Sequence, residues 1–338
     1  MNLFSRFSLV LIFVTTISFS QNKHYTLILS KGDRKVQVLD YNTLETVASI
    51  PVGNDSHEVV TSDDGSFAYV SNPEMNNNGH EIDIINLKDL SPESQIDTRP
   101  FYIPHGLAYQ KNKLWFTAQG SKSVALYNLS ENKIEGVLGT GQDFTHLIYV
   151  TKDGNTFYTT NVESGTVSIF EKKEIPPYMP PTGILPANAK LRNEWRQTLV
   201  SVGVGAEGFD VSADGKELWT SRPDGKIVVV DLEKKEVKFE IDTKVLGLHR
   251  LKITPDGKSV CIVSVKTGDL LFYGFVSHKL EKQMNIGRGA GIYIDSDNRM
   301  FVSCTPDNSV VVIDLKTREV IRKVDVARPD GITSVIVK

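Results

Sequence analysis

The stretch "GLHRLKITPDGKSVCIVS", residues 247–264, decides the fold. It sets a histidine ahead of a few alternating residues, then a Pro-Asp-Gly turn, then a β-branched run. Asp-Gly pairs tolerate the positive φ that tight hairpins need. One hairpin is not a fold, but this one recurs. Turns of the same kind stand at "SDDG" (62–65), "TKDG" (151–154), "SADG" (212–215) and "DSDN" (295–298), with "QKN" (110–112) as a shortened version. A strand follows each, such as "FAYVSN", "KELWTS" or "RMFVSC", and then a third, such as "IVVVDL" or "VVVIDL".

A four-stranded unit repeating at about forty residues predicts a propeller blade. The count is seven, so the expected fold is an all-β, seven-bladed β-propeller with four antiparallel strands per blade over residues 21–338. The chain ends in "DGITSVIVK", a lone first strand, while "YTLILS" near the other end reads as a second strand. The C-terminal strand is therefore expected to complete the first blade and close the ring.

Two segments break the period. The loop "NPEMNNNGHE" (72–81) is long and is expected on the rim where the innermost strands begin. A Pro-rich insertion at about 171–196, in the fourth repeat, is expected on the opposite rim, with "ANAKLRNEWRQ" forming a short helix.

The residue seven before each turn is His57, His105, His146, Glu207, His249 and Ala290, with Asp330 at the matching place before the closing strand. Four of the seven histidines share this register. The first strand of each blade lines the central channel, so equivalent positions form a ring about the axis. Imidazoles with carboxylates are a ligand set for a divalent transition metal such as Zn, Cu or Fe. His57, His105, His146 and His249 are the candidate metal ligands, with Glu207 and Asp330 as the acids beside them. A single histidine at such a place would ordinarily satisfy loop backbone. Four in register, with acids at two further blades, favour a functional ring. Arg250 follows the ring directly, and Arg288 and Arg328 precede it by two residues. Together with Arg222 and Asp330 they are candidate ligand-binding residues for a small anionic or polyoxygenated molecule.

"AYVSN" (68–72) beside "SDDG", and "PHGLAY" (104–109), resemble the YVTN-type repeat of exported seven-bladed propellers and, more loosely, lactonase-type propellers. The resemblance implies the fold more firmly than any activity. If the chain is an enzyme of lactonase or lyase type, it implies His146, Glu207, His249 and Arg250 as catalytic candidates.

Composition sets the remaining bounds. The 338 residues are 40% hydrophobic and 23% charged, with net charge −3, which gives no basic surplus for nucleic acid. Arg6, the apolar run "FSLVLIFVTTISF" and small residues before Gln21 read as a signal peptide over 1–20, so the mature chain is expected to be exported, periplasmic or secreted, with no integral membrane segment. Cys261 and Cys304 lie three positions out of register in neighbouring repeats, on opposite strand faces, and are expected unpaired. No CxxCH, P-loop, G-x-S-x-G or H-E-x-x-H occurs, so covalent haem, nucleotide, serine-hydrolase and zincin chemistry have no support. Trp115 and Trp219, on equivalent strands, are expected to pack between blades. Three functions remain: a propeller binding a metal ion or small ligand at the ring, an enzyme using the same ring, and a scaffold for a protein partner.

Overall fold

The computed structural model describes residues 22–338; the expected signal peptide, 1–20, lies outside them. Twenty-eight strands form seven four-stranded antiparallel sheets arranged as a seven-bladed β-propeller. Blade one joins the last strand, Pro329–Val337, to Lys23–Ser30, Lys35–Asp40 and Thr46–Pro51. The closing register runs from Lys23 opposite Val337 to Ser30 opposite Pro329, so the first and last described strands are stitched along their length. Blades two to seven begin at Val59, Pro104, Thr145, Phe209, Leu248 and Gly291.

The period-two pattern explains the packing. Successive side chains of a strand point to opposite faces, so each sheet is apolar on both faces and packs on two neighbours. Seven apolar layers result, one per junction. Trp219, Val229, Val260 and Ile262 fill the layer between blades five and six, and Ile28, Leu39, Phe301 and Val312 fill the one between blades seven and one. Cys261 and Cys304 share the layer between blades six and seven as free, buried thiols. Their opposite strand faces, on neighbouring blades, are what bring them to one layer. Burial pushes the Cys304 thiol up to about 12.

The insertion differs from the expectation in one respect. No helix forms; Arg192–Ser201 is a ten-residue strand paired along Thr166–Ile175. The helix formers of "AKLRNEWR" yield to a strand partner that runs the whole length, a tertiary context that overrides local propensity. The two strands continue beyond Glu171, which faces Thr156 at the blade's far edge, so the Pro-rich tip projects from the rim opposite the ring.

Glycines permit the inner strands to crowd together. A Cβ on Gly208 would lie 2.5 Å from the His249 carbonyl oxygen, and one on Gly106 would lie 2.5 Å from that of His146. Gly208→Ala should therefore lower stability by about 1–3 kcal/mol, the usual cost of overpacking. Gly136, whose Cβ would meet nothing within 4 Å, supplies the control, and Gly136→Ala should be neutral or slightly stabilising. Urea midpoints of the two variants check this, and equal midpoints would refute the close-approach argument.

Candidate functional site at the channel mouth

The ring residues are aimed by the backbone. In blades three, four and six the pairing of inner and second strands skips, from Pro104 opposite Ala118 to Leu107 opposite Phe116, from Thr145 to Ile148, and from Leu248 to Leu251. His105, His146 and His249 sit in these bulges, which turn a side chain out of the sheet's regular alternation. A hydroxyl from the preceding blade then holds each carbonyl. Ser71 donates to His105 O at 2.7 Å, Thr117 to His146 O at 2.6 Å, Thr160 to Glu207 O at 2.7 Å, and Ser221 to His249 O at 3.3 Å. Ser303 does the same for Asp330. These hydroxyls were open to sequence reasoning through the Ser and Thr in "YVSN", "WFTA", "YTTN", "LWTS" and "FVSC", but were not singled out.

The structure gathers six of the ring side chains. His57, His105 and His146 lie in a row, with ring centroids 4.6 and 3.8 Å apart and the planes tilted by 57° and 40°. Nε2 of His146 donates to Glu207 at 2.9 Å, and Nε2 of His249 lies 3.0 Å from the other Glu207 oxygen. Nδ1–H of His249 donates to the Ala290 carbonyl at 2.8 Å. On the other side Lys31 lies 2.8 Å from His57 Nε2, 3.2 Å from Asp330 and 3.0 Å from Asp55. His57 Nδ1–H donates to Asp55 O at 2.8 Å.

Beneath the ring an ion pair crosses the channel from blade six to blade two, with Arg250 2.8 Å from Glu58 and 3.8 Å from Glu207. Under that pair lies a channel cavity of about 180 Å³, bounded by Glu58, Arg250 and Asp330 at one end and by Tyr149, Asp210 and Lys252 at the other. Glu58 and Lys31 are two charged groups of the mouth that the ring register does not pick out. The Asn-rich loop reaches the same rim, since Met75 contacts Gln119, whose amide lies 3.4 Å from His146 Nδ1.

The other arginines stand apart. Arg222 is bound to Asp224 and Glu240, and exposed Arg288 to Asp307. The Arg328 backbone N–H donates to Asn308, and its carbonyl accepts from Lys31 N. None of the three joins the ring cluster. Among the described residues, no three His, Cys, Asp or Glu side chains converge as metal ligands. His57, His105 and His146 pack against one another as tilted rings, and Nε2 of both His146 and His249 points at Glu207.

Burial and pairing set the charges. Burial pushes the Glu207 carboxyl up, but His249 and His146 on either side outweigh it and hold it well below the usual range. Burial would lower His249, yet Glu207, 3.0 Å from its Nε2, raises it overall. His105 is driven well below its ordinary value by complete burial, then by His146 and His57, and neither ring nitrogen has a partner. Burial likewise lowers His146, against Glu207. Of the ionisable ring residues, Glu207 and His249 are the most open, at 19% and 26% exposed.

No family model and no curated protein matches the chain. Solved structures do. A putative 6-phosphogluconolactonase from Bacteroides uniformis is 15% identical over 93% of this chain and 100% of its own, with TM-score 0.70. Dihydro-heme d1 dehydrogenase NirN in complex with DHE is 14% identical over 91% and 74%, with TM-score 0.63. Kuenenia stuttgartiensis hydrazine synthase is 13% identical over 82% and 88%, with TM-score 0.65. At such identities the likeness is one of fold.

A pH effect follows from the buried imidazoles. Histidines held neutral in the folded state stabilise it above the unfolded value near 6.5, and that stability is lost as pH falls toward their folded values. Glu207, depressed below the carboxylate range, loses its contribution only at much lower pH. His249, raised, contributes fully below about 6.5 and loses its share as pH rises through its folded value. Urea midpoints at pH 7 and pH 5 should show a decline that is shallower in His105→Leu than in the native chain. Parallel declines would mean that His105 is not held neutral. The chain is a seven-bladed β-propeller whose channel mouth carries a dense, mostly buried cluster of ionisable groups.

Proposed function

We propose that the chain is an exported binding propeller that holds a small polar or anionic molecule at the mouth of its channel. The carrying observation is Ala290. Blade seven occupies its ring position with a methyl group, and there the matching residue on the preceding blade is Val263 rather than Ser or Thr. The blade's own inner strand still pairs there, through Ala290 N donating to Ser303 O, and its carbonyl still accepts from His249 of the preceding blade. The fold therefore does not require a polar side chain at this level. Six others nonetheless carry one, and burying ionisable groups costs stability that apolar residues would not. Open Glu207 and His249 offer the acceptor and donor that a polar ligand would meet first, with Arg250 behind them.

A second reading has its own observation. Glu207 bridges two imidazoles of opposite protonation tendency, an arrangement suited to moving a proton on a bound lactone or related ester. Divalent Zn, Cu or Fe on His57, His105, His146 and His249 is the metal form of the proposal, supported by the bare nitrogens of His105. It requires His146 and His249 to release Glu207.

One experiment separates these. Untagged protein from an exporting host is assayed for metals by plasma mass spectrometry, then screened by thermal shift against short carboxylates, sugar acids and lactones. The expected result is metal-free protein stabilised by an oxygen-rich acid, the shift being lost in Glu207→Gln and His249→Ala. Near-stoichiometric metal that disappears in the double variant His57→Ala, His146→Ala would move the reading to the metal form. Turnover of a lactone abolished by Glu207→Gln would make the protein an enzyme. Stabilisation unchanged in every ring variant would remove the ring from the proposal.

A further inference from the structure

One place past the ring residues, only blades two and six carry charge, as Glu58 and Arg250; blade four has Leu147 there and the other blades glycine. Glu58 and Arg250, with Asp330 from the ring itself, line the cavity of about 180 Å³ beneath. That volume is about six waters of bulk liquid, room for one small molecule. Leu107, Phe209 and Ile332 are among its apolar walls. At the far end Asp210 pairs with Lys252 at 3.3 Å. Lys252 and Tyr149 are both exposed there, at 40% and 37%, and mark an entrance on the rim opposite the ring.

The polar groups at the ring end are only partly used. A guanidinium carries five N–H donors. Among the described residues Arg250 makes one hydrogen bond, from Nη2 to Glu58 at 2.8 Å. Its Nε–H is shielded from solvent and has no acceptor. Glu207, 3.8 Å away, is beyond hydrogen-bond reach. The acids mirror this. Glu58 receives Arg250 on Oε1, and Asp330 receives Lys31 on Oδ2 at 3.2 Å. The second oxygen of each carboxylate has no donor among the described residues. Idle donors beside idle acceptors make an incomplete network, and buried polar groups are normally completed by a partner.

Charge narrows what that partner is. The lining holds three carboxylates, Glu58, Asp210 and Asp330, and two cations, Arg250 and Lys252. A simple anion would add to the acid surplus, and a simple cation would face the guanidinium. A zwitterion does neither. Its carboxylate matches the planar fork of an arginine, and its ammonium group has the two acids to donate to. The acids are close to each other, since a Cβ on Gly331, next to Asp330, would lie 3.1 Å from Glu58 Cα.

We propose that this cavity is a seat for a small α-amino acid, separate from the mouth above it. Arg250 takes the carboxylate, and Glu58 and Asp330 take the ammonium group. The apolar walls receive a short aliphatic side chain. Neither Glu207 nor His249 lines the cavity, so the seat stands independently of a ligand at the ring.

Isothermal titration calorimetry tests it with glycine, alanine and tryptophan, and with acetate and methylammonium as the separate halves. Glycine or alanine should bind, and tryptophan should not. Each half should bind at least about tenfold more weakly, having lost a hydrogen bond to a charged group. The charge-balanced double variant Glu58→Gln, Arg250→Met should abolish binding. So should Leu147→Trp, which fills the cavity without altering its charge. Glu207→Gln removes an acid that competes for the guanidinium, so alanine binding should hold or tighten. Loss of binding in Glu207→Gln would place the amino acid at the ring, refuting the separate seat while the mouth reading stands. Retention there, with no acid bound at the ring, would sink the mouth reading alone. Binding that survives the double variant, acetate that binds as tightly as alanine, or no binding of either small amino acid overturns the proposal.

Discussion

The bonds from second-strand hydroxyls to the carbonyls of the next blade's ring residues are what the channel mouth depends on. A bulged carbonyl beside the axis has lost its ladder partner and would be orphaned. Ser71, Thr117, Thr160 and Ser303 restore one each, and Ser221 adds a second donor to His249 O beside Gly208 N. Every such bond is worth on the order of 1 kcal/mol, but the cost of leaving it unmade is larger. Because donor and acceptor belong to different blades, the position of a ring side chain is a property of the closed circle and not of its own blade. The glycines that follow His105, Glu207 and Asp330 serve the same end, since any side chain there would push neighbouring inner strands apart.

That constraint gives the mouth two unlike halves. Blades two to four contribute three close, tilted imidazoles; burial lowers His105 and His146, and His146 and His57 lower His105 further. Blades five and six, backed by Arg250 and Glu58, contribute a carboxylate, a histidine raised by it and an ion pair. A molecule entering meets the charged half first, because Glu207 and His249 are the exposed ones. Selectivity at such a mouth would come from matching an asymmetric charge pattern more than from shape alone.

Much of this was legible in the chain. The Asp-Gly turns and the strand after each are local signals, and their forty-residue spacing names the architecture. The register that collects His57, His105, His146, Glu207, His249 and Asp330 needs only counting from those turns. Other features lie outside such counting. Glu58 pairs with Arg250, its counterpart one place past the ring residue of blade six and 192 residues distant, while the other five counterparts carry no charge. Lys31 sits in a loop of blade one whose approach to His57 depends on closure by the final strand. Arg222 and Arg288 read as free forks, yet each finds a carboxylate in a neighbouring loop or strand. The stretch before Trp195 has helix-forming composition, and only its ten-residue partner strand makes it extended.

Closure by Pro329–Val337 also gives the chain a test of completeness. The contacts that seal the ring join residues separated by nearly the full length of the molecule, and contacts of that separation form late. Until the last ten residues are present, Lys23–Ser30 remains an unpaired edge, buried and apolar for most of its length in the finished ring. A chain cut short there is left open where its two ends should meet, offering that edge to any passing strand. Truncated products therefore differ from finished ones in kind, and are the forms most readily removed by degradation or lost to aggregation.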